Sequence, residues 1–250
     1  MGSQPNFQFP VSSSRFLSRG RKIYEGKWKI LYETEDPALL IQRFKDTPML
    51  VGSVPRLKMA KRGAMKNQIS AALFTLLQKN GIPTHFVELA GERDMLVRRL
   101  EMIRLEVVLR NIAAGSLAKR LGMEVGTTLP APVLEFYYKS DALGDPLLNE
   151  YHVRALGLAG SEELRAIRET TFRANGILLP FFAEREILLA DFKVEFGRHK
   201  GALLLGDELT PDGCRFWDRT TRENLGRDRA RRSLAREAAA YQEIFRRVCT

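Results

Sequence analysis

Charged residues alternate with apolar ones in a segment of the last third of the chain. In ILLADFKVEFG, residues 187 to 197, Asp191, Lys193 and Glu195 alternate with aromatic and aliphatic side chains. A β-strand places successive side chains on opposite faces, so this segment is predicted to form a strand. Two carboxylates and one ammonium group would share one face of that strand, and the apolar side chains would pack from the other.

Two further acids follow the next β-prone segment. Asp207 and Glu208 stand at the end of GALLLGDE, where a hairpin partner of the first strand would end. Four carboxylates and one lysine would then meet at the edge of a small sheet. Clustered carboxylate oxygens suit Mg²⁺ that is held jointly with substrate phosphates. A solvent-facing antiparallel sheet with cross-strand ion pairs has the same spacing, so this pattern leaves both interpretations open.

A tight turn near the start of the chain carries residues suited to phosphate. In YEGKWK, Gly26 lies beside Lys27 and Lys29, and the two lysines share one face of a predicted hairpin. Backbone amides and ammonium groups on such a turn can surround phosphate oxygens. Taken in isolation, an ordinary hairpin is the simpler interpretation.

The segment EVVLRNIAAGSLAKR combines an arginine with a predicted helix start. Arg110 would emerge at the end of an apolar strand, and the small residues up to Gly115 would let the backbone approach a ligand closely. Ser116 is predicted to cap the helix that follows, whose free amides would face an anion. A phosphate cradle and a capped structural turn with a surface arginine both agree with this pattern.

A third candidate segment, GDELTPDGCRFWD, is predicted to be a loop after the acidic pair. Arg215 can bind a carboxylate or phosphate through two nitrogens, so we interpret it as a substrate clamp with Asp212 nearby. A Pro-Asp-Gly turn with Trp217 in the core is the structural alternative.

The chain as a whole must supply the elements that position these residues. Its 250 residues, 44% of them hydrophobic, suffice for one large domain or two lobes. The predicted elements, in chain order, are a hairpin at 22–34, a helix in NQISAALFTLLQKNG, a strand at 85–89, two strands and a short helix ending at Gly122, a loop-rich segment at 123–153, a helix at 161–184, the hairpin at 187–208, the loop after it and a last helix from about residue 228. Strands dominate the first third and helices flank strands afterwards, which predicts an α+β protein of two lobes.

Charge and composition restrict the classes of partner. The net charge is +10, but much of the excess lies in the first 24 residues and in an arginine-rich C-terminal segment. A solvated helix face explains that segment, and no zinc-finger, helix-turn-helix or RNP pattern is visible, which argues against a nucleic-acid partner.

We interpret 1–21, rich in Ser, Pro and Gly, as a flexible leader. The oligomeric state stays open, with a homo-oligomer as one option.

Membrane insertion and disulfide bonding are not expected. No apolar run reaches the roughly 20 residues of a membrane helix. Cys214 and Cys249, with three scattered histidines, fit neither a disulfide framework nor a zinc site. A reducing compartment, the cytoplasm, is therefore the expected location.

The order of six segments resembles the SAICAR synthetase family, the phosphoribosylaminoimidazole-succinocarboxamide synthases of purine biosynthesis. These segments are YEGKWKILY, NGIPTHFV, LEVVLRNIAAGSLAKRLG, EFYYKSDALGDPLLNE, LLADFKVEFG and LGDELTPDGCRFWD. The resemblance extends from about residue 22 to 248. It implies an ATP-dependent ligase that joins L-aspartate to carboxyaminoimidazole ribonucleotide, with Mg²⁺ and ATP, in a two-lobed fold related to ATP-grasp and kinase-like architectures.

The resemblance also implies a division of the chain and a role for each matching residue. It implies a β-rich nucleotide-binding lobe at 22–90 and an α/β lobe with the substrate and metal site at 91–250. The roles it implies are contact with ATP phosphates for Gly26, Lys27 and Lys29, binding of nucleotide-linked Mg²⁺ for Glu195 and Asp207, catalysis for Lys193, Asp191 and Asp212, and substrate binding for Arg110, Ser116, Lys139, Asp141, Asp145 and Arg215.

One segment departs from the family pattern. Ala60 and Lys61 stand near the position where most members have an acid, and Lys66 replaces an asparagine. The alternative hypothesis is therefore a homologue that binds nucleotide but has weak or no ligase activity.

Overall fold

A computed structural model describes residues 18–46, 50–51, 54–55, 61–225 and 234–250 of the chain. In chain order its elements are β1 (Lys22–Glu25), β2 (Lys29–Glu33), β3 (Leu39–Phe44), β4 (Leu50–Val51), β5 (Val54–Pro55), α1 (Arg62–Lys79), β6 (Phe86–Leu89), β7 (Asp94–Arg98), β8 (Glu101–Ile112), α2 (Gly115–Leu121), β9 (Thr128–Tyr138), a 3₁₀ turn (Asp141–Leu143), β10 (Leu147–Leu148), α3 (Glu150–Ala155), α4 (Ser161–Ala183), β11 (Ile187–His199), β12 (Ala202–Gly206), β13 (Cys214–Asp218) and α5 (Leu234–Cys249). Most of the leader predicted at 1–21, and the predicted start of the last helix at 228, lie outside the described residues.

The described residues form two compact units. The first contains 18–76, 85–99 and 234–250, and the second contains 77–84 and 100–225. The sequence placed the division at residue 90, whereas β7 pairs with β3 and β6 and so continues the first unit to residue 99. Helices and sheets are both well represented, which confirms the α+β class.

The first unit is built on an antiparallel sheet of strand order β1-β2-β3-β7-β6. The predicted hairpin is present, because β1 pairs with β2 around the turn that contains Gly26. The predicted helix is α1, which begins earlier than its apolar spacing indicated and is followed by Gly81 at φ +77°. The Phe74 ring of α1 stacks on Phe86 with ring centroids 6.2 Å apart, so α1 packs on the β6 side of the sheet.

The second unit contains the sheet β10-β9-β8-β11-β12, to which β13 is added by pairing with β11. Helix α4 packs on β11 and β8. Phe182 of α4 lies 4.7 Å, ring to ring, from Phe216 of β13, and Asn175 exchanges hydrogen bonds with Asn111 of β8. This helix covers the apolar face of the sheet, as the alternation in β11 predicted.

Three local predictions in this unit are wrong. The segment 123–153 was expected to be loop-rich, but it contains the 11-residue strand β9. The segment after the acidic pair was expected to be a loop, but Cys214–Asp218 is a strand that pairs with β11. Ser116 was expected to cap α2, but the N-cap is Ala114, without a side-chain hydrogen bond to the helix.

No described helix has the length and apolar character needed to cross a membrane.

Candidate functional site

One edge of β11 pairs with two different strands, and the change of partner occurs beside the polar side chains of β11. Along that edge, Glu195 to His199 pair with β12, whereas Ile187 to Phe192 pair with β13. Lys193 lies between the two pairings, and its backbone N–H donates to Gly213 O at 2.9 Å. Residues 207–213 join β12 to β13 and therefore lie along the edge of β11, beside its polar side chains. We call these residues the crossing segment.

A lysine cluster forms at the β12 end of this face. We use this name for Glu106, Lys139, Lys193, Glu195 and Asp207. Lys193 Nζ lies 2.8 Å from Glu195 Oε1, 3.1 Å from Glu106 Oε1 and 3.4 Å from Asp207 Oδ2. Lys139 Nζ donates to the second oxygen of Glu195 at 2.6 Å. Glu195 is only 1% exposed, so its charge is stabilised by these two ammonium groups rather than by water.

The pKa of Lys193 is raised well above its ordinary value. Burial by itself lowers this pKa, but attraction to Asp207, Glu195 and Glu106, with the hydrogen bond to Glu195, outweighs it. Lys193 is therefore a permanent cation at neutral pH.

An arginine cluster forms at the β13 end of the same face. We use this name for Arg110, Arg120, Glu135, Asp191 and Arg215. Asp191 Oδ2 accepts from Arg215 Nη1 at 2.6 Å and from Arg110 Nη1 at 3.0 Å. Glu135 accepts from Arg110 Nε at 2.6 Å and also from Arg120. Asp191 is 2% exposed, which excludes the interpretation of this strand face as a solvated charged surface.

The arginine cluster continues through two hydroxyl groups. Arg110 Nη2 donates to Ser116 Oγ at 3.0 Å and to the Tyr137 hydroxyl at 3.2 Å. Burial by itself lowers the pKa of Arg110, but the hydrogen bond to Glu135 and attraction to Asp191 leave that pKa raised. Ser116 therefore extends the polar site instead of capping α2.

The two clusters have opposite formal charge. In the lysine cluster three carboxylates face two ammonium groups, which leaves one negative charge. In the arginine cluster three guanidinium groups face two carboxylates, which leaves one positive charge. Asp191 and Glu195 are four residues apart on one strand, which separates their Cα atoms by about 13 Å. A site suited to a cation and a site suited to an anion are therefore neighbours.

The lysine cluster has the donor chemistry of a shared Mg²⁺ site. Within the described ranges, no three His, Cys, Asp or Glu side chains are grouped as metal ligands. Glu195 and Asp207 nevertheless converge on the same ammonium group. Two carboxylates fit Mg²⁺, because this ion commonly takes one or two protein carboxylates and completes its shell with phosphate oxygens and water.

The glycine turn of the first unit is held by its neighbours. Gly26 N–H donates to Lys29 O at 2.9 Å, and Lys45 Nζ donates to Gly26 O at 3.2 Å and to Glu25 at 2.8 Å. Lys27 is exposed, and its Nζ lies 4.7 Å from the centroid of the Trp28 ring.

Two predicted site residues of the second unit, Asp141 and Asp145, lie at the turn after β9, outside the two clusters. Asp141 is exposed in the 3₁₀ turn after β9. Asp145 has φ +49° and accepts a hydrogen bond from Ser140 N at 2.8 Å, so it closes that turn. Asp212 lies in the crossing segment, one residue before Gly213. Among the described residues at this end of β9, Lys139 has a contact with the lysine cluster, through Glu195.

Sequence reasoning missed four members of the polar site. Glu106 lies on β8 opposite Glu195, and Glu135 and Tyr137 lie on β9, which was expected to be a loop. Arg120 reaches Glu135 from α2. The spacing of Glu106 and Arg110, an even number of residues apart on one strand, was the signal that could have identified Glu106.

Comparison with known proteins gives one consistent family. Residues 22–248 match the family model described as SAICAR synthetase. The phosphoribosylaminoimidazole-succinocarboxamide synthase of Desulfitobacterium hafniense (strain DSM 10664 / DCB-2) is 48% identical over 232 residues, which cover 93% of this chain and 98% of that protein. The protein of the same name from Chlorobaculum parvum (strain DSM 263 / NCIMB 8327) is 48% identical over 226 residues, 90% of this chain and 96% of its own.

Solved structures show the same similarity. The crystal structure of phosphoribosylaminoimidazole-succinocarboxamide synthase from Ehrlichia chaffeensis has a TM-score of 0.86 and 38% identity, covering 91% of this chain and 98% of that one. A SAICAR synthetase solved in complex with ADP has a TM-score of 0.84 and 41% identity, covering 90% of this chain and 96% of its own.

Proposed function

The chain belongs to the SAICAR synthetase family, and from that premise we propose how its side chains carry out ATP-dependent ligation in purine biosynthesis. The reaction joins L-aspartate to the carboxylate of carboxyaminoimidazole ribonucleotide and gives SAICAR, ADP and phosphate. The observation that carries the proposal is the buried polar face of β11, where neighbouring clusters of opposite charge suit a cation and an anionic substrate.

The chemical problem is that a carboxylate is a poor electrophile. Transfer of the γ-phosphoryl group of ATP to this carboxylate gives an acyl phosphate, which the amine of aspartate attacks with release of phosphate. Two anions must approach each other in the first step, so positive charge that is already in place lowers the barrier.

We assign ATP phosphates to the glycine turn and Mg²⁺ to the lysine cluster. Lys27 and Lys29, with the amide of Gly26, bind ATP phosphates, and Lys193 supplies a fixed positive charge within the lysine cluster. Glu195 and Asp207 would hold Mg²⁺, which when bound neutralises charge on the phosphate oxygens. Support comes from the raised pKa of Lys193 and from the convergence of both carboxylates on its ammonium group.

We assign the ribonucleotide to the arginine cluster. Arg110, Arg215 and Ser116 bind its phosphate or ring substituents, and Asp191 orients both guanidinium groups through its two hydrogen bonds. The guanidinium groups of this cluster are donors that suit the oxygens of an anionic ligand.

The second step needs a group that takes a proton from the attacking amine. Asp212 is our candidate for this base, because it is partly exposed and lies in the segment that crosses β11 between the clusters. Lys139, Asp141 and Asp145 are our candidates for further substrate contacts from the end of β9.

We also place the enzyme in the cytoplasm, in agreement with Cys214 and Cys249 both being thiols.

A turnover assay tests the proposal directly. Purified protein should form the succinocarboxamide product only when ATP, Mg²⁺, aspartate and the ribonucleotide are all present. Glu195→Gln should reduce turnover about a hundredfold or more and raise the Mg²⁺ concentration needed, since it removes a metal ligand. Glu169→Gln, the same change at an exposed site on α4, is the matched control and should leave both quantities unchanged.

Two results would contradict the proposal. Tight ATP binding by folded protein without product would identify a nucleotide-binding homologue instead of a ligase. Equal Mg²⁺ dependence in wild type and Glu195→Gln would remove the metal role of the lysine cluster while leaving the ligase activity in place.

A further inference from the structure

Three cations surround a single indole ring in the first unit. The centroid of the Trp28 ring lies 4.2 Å from Lys66 Nζ, 4.7 Å from Lys27 Nζ and 5.4 Å from Arg62 Cζ. Trp28 itself lies in the turn that joins β1 to β2, between the two lysines assigned to ATP. The ring is therefore in direct contact with the proposed phosphate site.

Two of the three cations are fixed in place. Arg62 and Lys66 are four residues apart on α1, so they share one helix face, and they are 1% and 0% exposed. The Arg62 guanidinium also lies 4.8 Å from the ring centroid of Tyr241, which is buried on α5. Arg62 of α1 thus contacts both the indole and the Tyr241 ring of α5, which restricts the position of the indole.

Lys27 differs from the other two cations because it is exposed. A contact between an exposed ammonium group and an aromatic face is weak but restricts a long, flexible side chain. The Trp28 ring therefore keeps the Lys27 ammonium group near the turn and leaves it accessible to an arriving anion. Arg62 and Lys66, in contrast, are enclosed by protein.

We propose that Trp28 is a positioning residue that holds Lys27 beside the turn, where its ammonium group meets the triphosphate when ATP binds. This inference rests on the proposed function, specifically on contact between Lys27 and ATP phosphates. Arg62 and Lys66 serve it by fixing the indole.

A double-mutant cycle on the Michaelis constant for ATP tests the inference. Trp28→Leu should raise this constant about three- to tenfold with kcat unchanged, because a ring contact with Lys27 is lost. Lys27→Met should raise it as well. In the double variant, Trp28→Leu should add nothing further, since its effect passes through Lys27. The inference would be wrong if the effects of the two substitutions multiply in the double variant. It would also be wrong if Lys27→Met has a clear effect and Trp28→Leu has none. In both cases the proposed function would stand.

Failure of the proposed function would give a different result. If Lys27→Met leaves the Michaelis constant for ATP unchanged in an active enzyme, Lys27 has no role with ATP and the inference falls with it. Tyr151→Leu is the matched control, because the exposed Tyr151 ring also carries a cation, with Arg154 Cζ at 5.0 Å, and it should change neither constant.

A fluorescence measurement covers the case in which Trp28→Leu does not fold. The chain has two tryptophans, so in a Trp217→Phe background the emission reports Trp28 alone. ATP should change this emission because a phosphate partner alters the field of the Lys27 ammonium group at the ring, and a titration of the variant that also carries Lys27→Met should show a much smaller change. Equal changes with and without Lys27 would overturn the inference.

Discussion

Gly115 lies directly against the guanidinium group of Arg215. A Cβ built on Gly115 would lie 2.8 Å from Arg215 Cζ, and Gly115 has φ +53°, in the left-handed region that favours glycine. Gly115→Ala should therefore displace Arg215 from Asp191 in addition to straining the backbone. We expect a clear rise in the Michaelis constant for the ribonucleotide, measured by steady-state kinetics.

Gly122 provides a control with the same backbone strain. It has φ +64° at the end of α2, and a Cβ there would meet no atom within 4 Å. Gly122→Ala should lose about 1–2 kcal/mol of unfolding free energy from the left-handed conformation alone, with unchanged kinetic constants. Equal kinetic effects of the two substitutions would show that the contact with Arg215 is irrelevant to substrate binding.

Removal of the Arg215 side chain tests its role as a clamp. Arg215→Ala should raise the Michaelis constant for the ribonucleotide about 10- to 100-fold, the usual cost of a lost hydrogen bond to a charged group, without changing that for ATP. Arg219→Ala, an exposed arginine that follows β13, should change neither. Unchanged kinetics of Arg215→Ala at limiting ribonucleotide would contradict the clamp.

The sequence could predict the strand that carries the site because its signal is local. Asp191, Lys193 and Glu195 alternate with apolar residues, and this alternation directly specifies one polar and one apolar face. Burial of the polar face was not predictable in the same way. Asp191 is neutralised by Arg110, 81 residues away, so a solvated strand and an enclosed one have the same local pattern.

Strand β9 escaped prediction because of its prolines. Pro130 and Pro132 lie in a segment where the pairing between β8 and β9 shifts register, between Ile112–Thr128 and Arg110–Val133. Proline is tolerated at such an irregularity because the missing N–H is not needed there. A sequence pattern with two prolines indicates a loop, and the residues Glu135 and Tyr137 were lost from the predicted site with it.

The buried carboxylate of Asp191 should be important for stability as well as for activity. Asp191→Asn leaves Arg110 and Arg215 buried with only part of their negative partner charge, and we expect a loss of about 3–5 kcal/mol in unfolding free energy, measured by urea denaturation. Glu163→Gln is the matched control. Glu163 accepts two hydrogen bonds from Arg198 but is half-exposed, so its loss should be about 1 kcal/mol or less. Similar losses for both substitutions would mean that burial does not strengthen the Asp191 interactions.

The raised pKa of Lys193 predicts how stability depends on pH. Because the folded-state pKa lies above the ordinary value of 10.5, the stabilising contribution of the ammonium group is fully present below that value and is lost only as pH rises through the higher folded pKa. The difference in unfolding free energy between wild type and Lys193→Met should therefore stay constant between about pH 8 and pH 10 and shrink only above it. Lys119→Met, at an exposed position on α2, should show little difference from wild type across this range. A difference that already shrinks between about pH 8 and pH 9 would place the folded pKa of Lys193 below its ordinary value, and burial would then outweigh the attraction of Asp207, Glu195 and Glu106.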